Sequence, residues 1–198
     1  MSKYQLTFNE WDACHSYGDC KDPSSGGWGR GRKPVMNVNW YDAKQYVGWL
    51  SKVTGRRYRL LSEAEYEYAT RAGTETAYPW GPDITLNGHA MAHCAGCGSG
   101  DRIQQTAPVG SYPPNKFDLY DMVGNLYEWV EDCEHPNYEG APPDGSAWIP
   151  GDDCNRRESR GGGWNVGANQ VRSAKRGRSG QDHSDDYTGF RVARTLTR

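Results

Sequence analysis

The sequence predicts an α+β domain with two helices, short antiparallel strands and long loops. Three observations lead there. Helix start and stop signals are confined to the first 73 residues, the second half reads as short apolar segments separated by turn residues, and the composition favours loops. The 198 residues include 25 Gly, 11 Pro, 8 Trp and 13 Tyr against 3 Phe, with a mean hydropathy of -0.93. Such a chain must build its core from aromatic rings with polar tips rather than from aliphatic bulk. One domain, residues 1–198, is the expected organisation, large enough to bury about 70% of the surface of its unfolded form.

The elements follow in order. Thr7 and Glu10 have capping-box spacing, which starts a helical segment running to His15. Cys14 to Arg32 is a polar, Gly-rich loop, and Pro34 to Asn39 alternates apolar and polar residues like a half-buried strand. Asn39 caps the clearest helix, with Asp42 in its first turn and Gly55 at its end. Its apolar face is Ala43, Tyr46, Val47 and Leu50. A short strand at Tyr58 to Leu60 precedes a second capping box, Ser62 with Glu65, and a helix to about Arg71 closed by Gly73. Glu63, Glu65 and Glu67 point in different directions at helical spacing, so most are expected on a solvated face. From Ala72 to Pro114 there is almost no periodicity, which implies loops pinned by staples or ions, or an interaction surface. Strands are expected at Leu126 to Val130, Arg160 to Asn165, Val171 to Arg176 and Gly189 to Arg194.

A formal net charge of -2 and a pI near 6.2 leave no electrostatic footprint for nucleic acid. No apolar run approaches the roughly 20 residues of a membrane span. Nor does an apolar leader segment follow Met1. Six cysteines fall into local pairs, Cys14 with Cys20, Cys94 with Cys97 and Cys133 with Cys154. They are expected as three disulfides, which suggests a periplasmic or secreted protein in the absence of any address signal. The alternative is a zinc site from Cys94 and Cys97 with His89 or His93, for which no second cysteine pair matches. The five histidines are scattered and form no metal spacing. Arg172, Lys175, Arg176 and Arg178 could grip an acidic ligand, but are expected to pair with Asp182, Asp185 and Asp186 on neighbouring turns.

The stretch Asp118 to Asp132 (DLYDMVGNLYEWVED) sets large apolar side chains around a Gly124-Asn125 turn, with Asp121 and Glu128 on either side. Two carboxylates so placed could hold a cation.

Seven segments resemble, in order, the motifs of the formylglycine-generating enzyme and sulfatase-modifying-factor family. They are PVMNVNWYDAKQY from Pro34, YRLLSEAEYEYATRAG from Tyr58, Pro79-Trp80-Gly81, Thr106 to Ser111, Asp121 to Trp129, Arg160 to Trp164 and Gly189-Phe190-Arg191. The resemblance implies a variant of the C-type lectin-like fold, without the strand region usually found ahead of Tyr4. It also implies a structural calcium ion held by Asp121, Gly124, Leu126 and Glu128, for which the alternative is a pairing of Glu128 with an arginine such as Arg160. A second family calcium site would fall at His93 to Ile103, where the match is poor. In the family's oxidases a cysteine pair after the Arg160 to Trp164 motif holds copper. Here Val166 stands in place of the first, Gly163 replaces a common serine, and no cysteine follows Cys154. Because Cu(I) needs thiolate ligands, copper is not expected. The resemblance therefore implies a calcium-stabilised binding module for a protein or peptide ligand. Its ligand surface would be Trp164, Asn165, Arg172, Arg176 and Tyr187, with no catalytic residues assigned. Two alternatives stand beside it: an oxidase of protein cysteine using other ligands, and a variable protein of a diversity-generating retroelement.

Overall fold

A computed structural model describes residues 1–98, 103–149 and 154–195. The elements run α1 (Phe8–Ser16), α2 (Trp40–Thr54), β1 (Tyr58–Arg59), α3 (Glu63–Arg71), β2 (Thr85–Leu86), β3 (His89–Ala90), β4 (Tyr127–Cys133), β5 (Arg156–Arg160), a 3₁₀ turn (Ala168–Gln170), β6 (Arg176–Gly180), β7 (Thr188–Gly189) and β8 (Ala193–Arg194). There are three α-helices among the described residues, not two, because the segment after Thr7 is a complete helix. Each begins with a reciprocal capping box: Thr7 with Glu10, Asn39 with Asp42, Ser62 with Glu65. Gly55 ends α2 in the left-handed region, as expected, whereas α3 ends on Ala72 at φ 46° rather than on Gly73.

The main sheet has four strands in the order β6-β5-β4-β7, antiparallel except for the β4–β7 pair. β1 pairs with β8, so the C-terminal segment returns to the helical layer. Three expectations fail. Pro34 to Asn39 buries Val35, Met36 and Val38 and leaves Asn37 and Asn39 half-buried but is not a strand; Val35 donates to the Leu6 carbonyl, and Asn37 breaks the extension at φ 59°. β5 ends where a strand was expected to start, and β6 begins at the last residue of another. Residues 161–175 instead form loops, whose backbone groups bond to residues 77, 124 and 125. Finally, the aperiodic region holds the β2–β3 hairpin, turned by Asn87-Gly88 with φ 50° and 78°.

The core lies between α1, α2 and the sheet. Phe8, Trp11, Val35, Val38, Tyr46, Leu126, Trp129 and Phe190 are all buried there. Three of its tryptophans have partnered polar tips: Trp129 donates to the Val38 carbonyl at 3.1 Å, Trp40 to Val130 at 2.9 Å and Trp11 to Lys21 at 2.9 Å, whereas the buried Trp49 Nε1 has no hydrogen-bond partner. The three cysteine pairs are disulfides with Cα separations of 5.4, 5.3 and 5.5 Å. The Cys133–Cys154 bridge joins the end of β4 to the segment entering β5. Replacing both cysteines by serine should lower unfolding free energy by about 3 kcal/mol in urea titration. An unchanged midpoint would show that the bridge constrains nothing.

Candidate functional site

The Asp118 to Asp132 stretch bends through four left-handed residues: Asp118 (φ 60°), Asp121 (53°), Gly124 (82°) and Asn125 (67°). Gly124 is required for space as well as conformation, since a Cβ there would stand 2.7 Å from the His93 carbonyl oxygen. The Asn125 side chain accepts from Ala107 N and donates to Ala107 O and to Gln5 Oε1, while its backbone bonds to His93 and Trp164. One turn therefore fixes the residue 93 and 107 loops and the start of the Trp164 segment.

The four residues expected around calcium do converge, though not as expected. The carbonyls of Asp121, Gly124 and Leu126 and Glu128 Oε1 lie 3.4, 3.5, 3.0 and 3.1 Å from one atom, Gln5 Nε2. Asp121 contributes its carbonyl, because its carboxylate accepts from Gly110 N at 2.8 Å. Burial pushes that carboxyl up to about 6. Glu128, with no exposure, forms a two-pronged ion pair with Arg191 at 2.6 and 2.8 Å and lies 3.1 Å from the Tyr66 hydroxyl. Burial opposes the Arg191 charge, but Glu128 more than offsets it and raises the pKa of the guanidinium. The alternative pairing of Glu128 with an arginine is thus realised, with Arg191 as the partner. Arg160 stands opposite Glu128 in the strand register but sends its guanidinium to Glu67 and the Ser173 carbonyl. As arranged, the set does not fit a calcium ion, since a carboxamide nitrogen fills the point of convergence and Asp121 Oδ2 is taken by Gly110 N. At the second stretch considered, residues 99–102 lie outside the described residues, and the His93 ring nitrogens meet Tyr112 Oη and the Gln105 carbonyl.

Arg176 belongs to another cluster. It pairs with Glu63 at 2.7 Å and Glu158 at 2.6 Å, and stacks 4.6 Å from the Tyr138 ring centroid. Glu63 is buried rather than solvated, and Arg178 pairs with Glu134 rather than with the aspartates after Gly180. Burial, then the neighbouring Glu63, raises the Glu158 carboxyl to about 7. Its folded-state pKa is above the ordinary 4.5, so the folded chain holds this proton more tightly than the unfolded chain. The resulting stabilisation is complete below about pH 4.5 and is lost as pH rises through about 7. Glu158→Gln should therefore gain on the wild type in melting temperature across that window. A constant difference would mean that Glu158 does not titrate there.

The structure brings together Trp164, Asn165 and Tyr187 of the expected ligand surface. The Trp164 ring meets Trp28 edge to face at 5.4 Å, and its indole N–H donates to the Asp186 carbonyl at 3.0 Å. A Cβ added to Gly163 would lie 3.0 Å from Asn165 Oδ1 and 3.2 Å from Tyr187 Cβ. Tyr187 in turn meets the Tyr127 ring edge to face at 6.4 Å. Arg172 is exposed beyond the 3₁₀ turn, donating to the Asn169 carbonyl, and Arg176 is in the ion-pair cluster. Val166 accepts from Ala95 N at 3.0 Å and packs on an apolar cluster that includes the Cys94–Cys97 disulfide and Val171. Trp28, Tyr127 and Gln5 escaped the sequence reading. A lone tryptophan in a Gly-rich loop was the available signal for Trp28, whereas Gln5 carried none.

The chain matches the sulfatase-modifying factor enzyme 1-like domain over residues 1–196. It belongs to that family. The formylglycine-generating enzyme of Streptomyces coelicolor is 34% identical over 177 residues, 83% of this chain and 54% of that protein. The chain thus spans about half the length of that curated relative. PvdO from Pseudomonas aeruginosa has a similar structure, with a TM-score of 0.86 and 40% identity over 98% of this chain and 79% of that one. Variable protein 1 of Treponema denticola shares the fold at a TM-score of 0.76 and 23% identity, over 95% of this chain and 81% of that one. The C-type lectin-like fold expected from the motifs is therefore the fold this family member has.

Proposed function

We propose that this domain binds a protein or peptide ligand on the surface around Trp28, Trp164, Asn165 and Tyr187, and is not a copper oxidase. The observation that carries the reading is the environment of Val166. Where the family resemblance calls for a copper-holding cysteine, a valine packs on apolar neighbours, and all six cysteines are engaged in disulfides. Copper(I) requires soft thiolate ligands, and this segment supplies none. Beside it, Gly163 leaves little room for the family's serine, since a Cβ would already crowd Asn165 and Tyr187. What the segment does offer is large rings with polar edges, held on backbone fixed by the 121–128 turn. Rings of this kind, losing little entropy on contact, are the usual anchors of protein and peptide interfaces. In this reading the 121–128 turn is scaffold and the loops it holds are the working surface.

The competing reading is an oxidase of protein cysteine that uses other ligands. It is favoured by the formylglycine-generating enzymes among the relatives and by the Cys94–Cys97 disulfide lying against Val166. Incubation with copper, oxygen and a cysteine-containing peptide separates the two. The binding reading predicts no formylglycine by mass spectrometry, and turnover near 1 s⁻¹ or faster, an ordinary enzymatic rate, overturns it. Peptides selected from a random library against the wild type should bind Trp164→Ala at least about tenfold more weakly. Equal affinity for the two proteins would place the ligand surface elsewhere.

A further inference from the structure

Gln5 Nε2 is surrounded by more acceptors than it can serve. A primary amide has two N–H bonds, yet four oxygens lie within 3.5 Å of this nitrogen, three carbonyls and one carboxylate oxygen. The orientation of the amide is decided by its other end: Gln5 Oε1 accepts from Asn125 Nδ2 at 3.0 Å. The flipped amide would set an oxygen against four oxygens and an N–H against a donor. Nor can the side chain retreat to solvent. Gln5 has no exposed surface, and its neighbour Leu6 is held by Phe190 O at 2.9 Å and by Val35 N at 2.7 Å.

Converging oxygens in a buried turn need a positive partner, because mutual repulsion of unpaired acceptors in a medium of low polarity is costly. Here the partner comes from the protein. The positive end of the Gln5 amide faces all four oxygens. The Arg191 guanidinium neutralises Glu128 and reaches the Asp121 carbonyl at 3.3 Å, one of the four. Calcium takes six to eight oxygens, and of the Asp121 carboxylate that could add to the four, Oδ2 is taken by Gly110 N.

We infer that the Gln5 carboxamide does in this chain what a bound divalent cation would do at the same oxygens, so that the clamp holds without metal and residue 5 decides whether metal can enter. The substitution that isolates the effect is Gln5→Glu, which keeps the shape and exchanges the central N–H donor for a fifth acceptor. It turns a satisfied site into a ring of oxygens that only a cation can hold together.

The test is calorimetry at about pH 8 in EGTA and in millimolar Ca²⁺, with direct calcium titration of the wild type. The wild type should melt at the same temperature in both and take up no calcium. Gln5→Glu should melt lower than the wild type in EGTA and rise by more than about 5 °C in calcium, the size of shift that binding to the folded state alone gives in a domain of this length. A wild-type protein that loses stability in EGTA, or that binds one calcium ion per chain, overturns the inference. So does a Gln5→Glu chain that calcium fails to stabilise, or fails to fold from urea.

Discussion

Glu128 has no exposure to water, and its two oxygens receive donors from three distant parts of the chain: Gln5 before α1, Tyr66 on α3, and the Arg191 guanidinium after β7. Taking a carboxylate and a guanidinium out of water costs several kcal/mol per ion, and the two-pronged pairing, with further bonds from Gln5 and Tyr66 to Glu128 and from Arg191 Nη2 to the Tyr120 and Asp121 carbonyls, offsets that cost even though Arg191 Nη1 has no partner. The consequence is structural. The N-terminal segment, the 121–128 turn, α3 and the C-terminal segment cannot separate without exposing or orphaning one of these groups. An apolar core alone would hold the layers less specifically, for it tolerates sliding that a two-pronged ion pair does not.

That constraint explains how a loop-rich chain can present an ordered surface. Residues 161–175 have little regular structure, yet Gly161 O accepts from Gly124 N, Trp164 N donates to Asn125 O, and Ser173 N donates to Ala77 O. Each loop is fixed by backbone bonds to the clamp or to a neighbour fixed by it. The rings of Trp28, Trp164 and Tyr187 are half-buried on this frame, the two tryptophans packed against the core, and the Cys94–Cys97 disulfide packs with Val166 of the same segment. Rigid placement of a few amphipathic rings on irregular backbone is the physical requirement for recognition, and here scaffold and surface are built by different residues.

Local chemistry was the legible part of the sequence. The capping boxes at Thr7 and Ser62 and the Asn39 cap were readable, because the bonds that start a helix lie within four residues of one another. Paired cysteines and the Gly124-Asn125 turn were readable for the same reason. The misreadings share a different cause. Glu63 looked like a surface residue until Arg176, 113 positions away, was placed against it, and Pro34 to Asn39 has a strand's alternation but spends its backbone bonds on Leu6 and Asp185. Gln5 was invisible because a lone amide among apolar residues has no periodicity and no partner in sequence. Its role appears only when residues 121–128 fold around it. The candidate surface was half legible: Trp164, Asn165 and Tyr187 meet, while Arg176 was drawn away by the ion-pair cluster.

The central claim is that the buried pair between Glu128 and Arg191, rather than either charge alone, holds the four segments together. A double-mutant cycle of Glu128→Leu and Arg191→Met, followed by urea unfolding, tests it directly. The account predicts that each single substitution strands a buried charge and costs about 3–5 kcal/mol, while the double substitution costs far less than their sum. Additive losses, or a single variant as stable as the wild type, would contradict it.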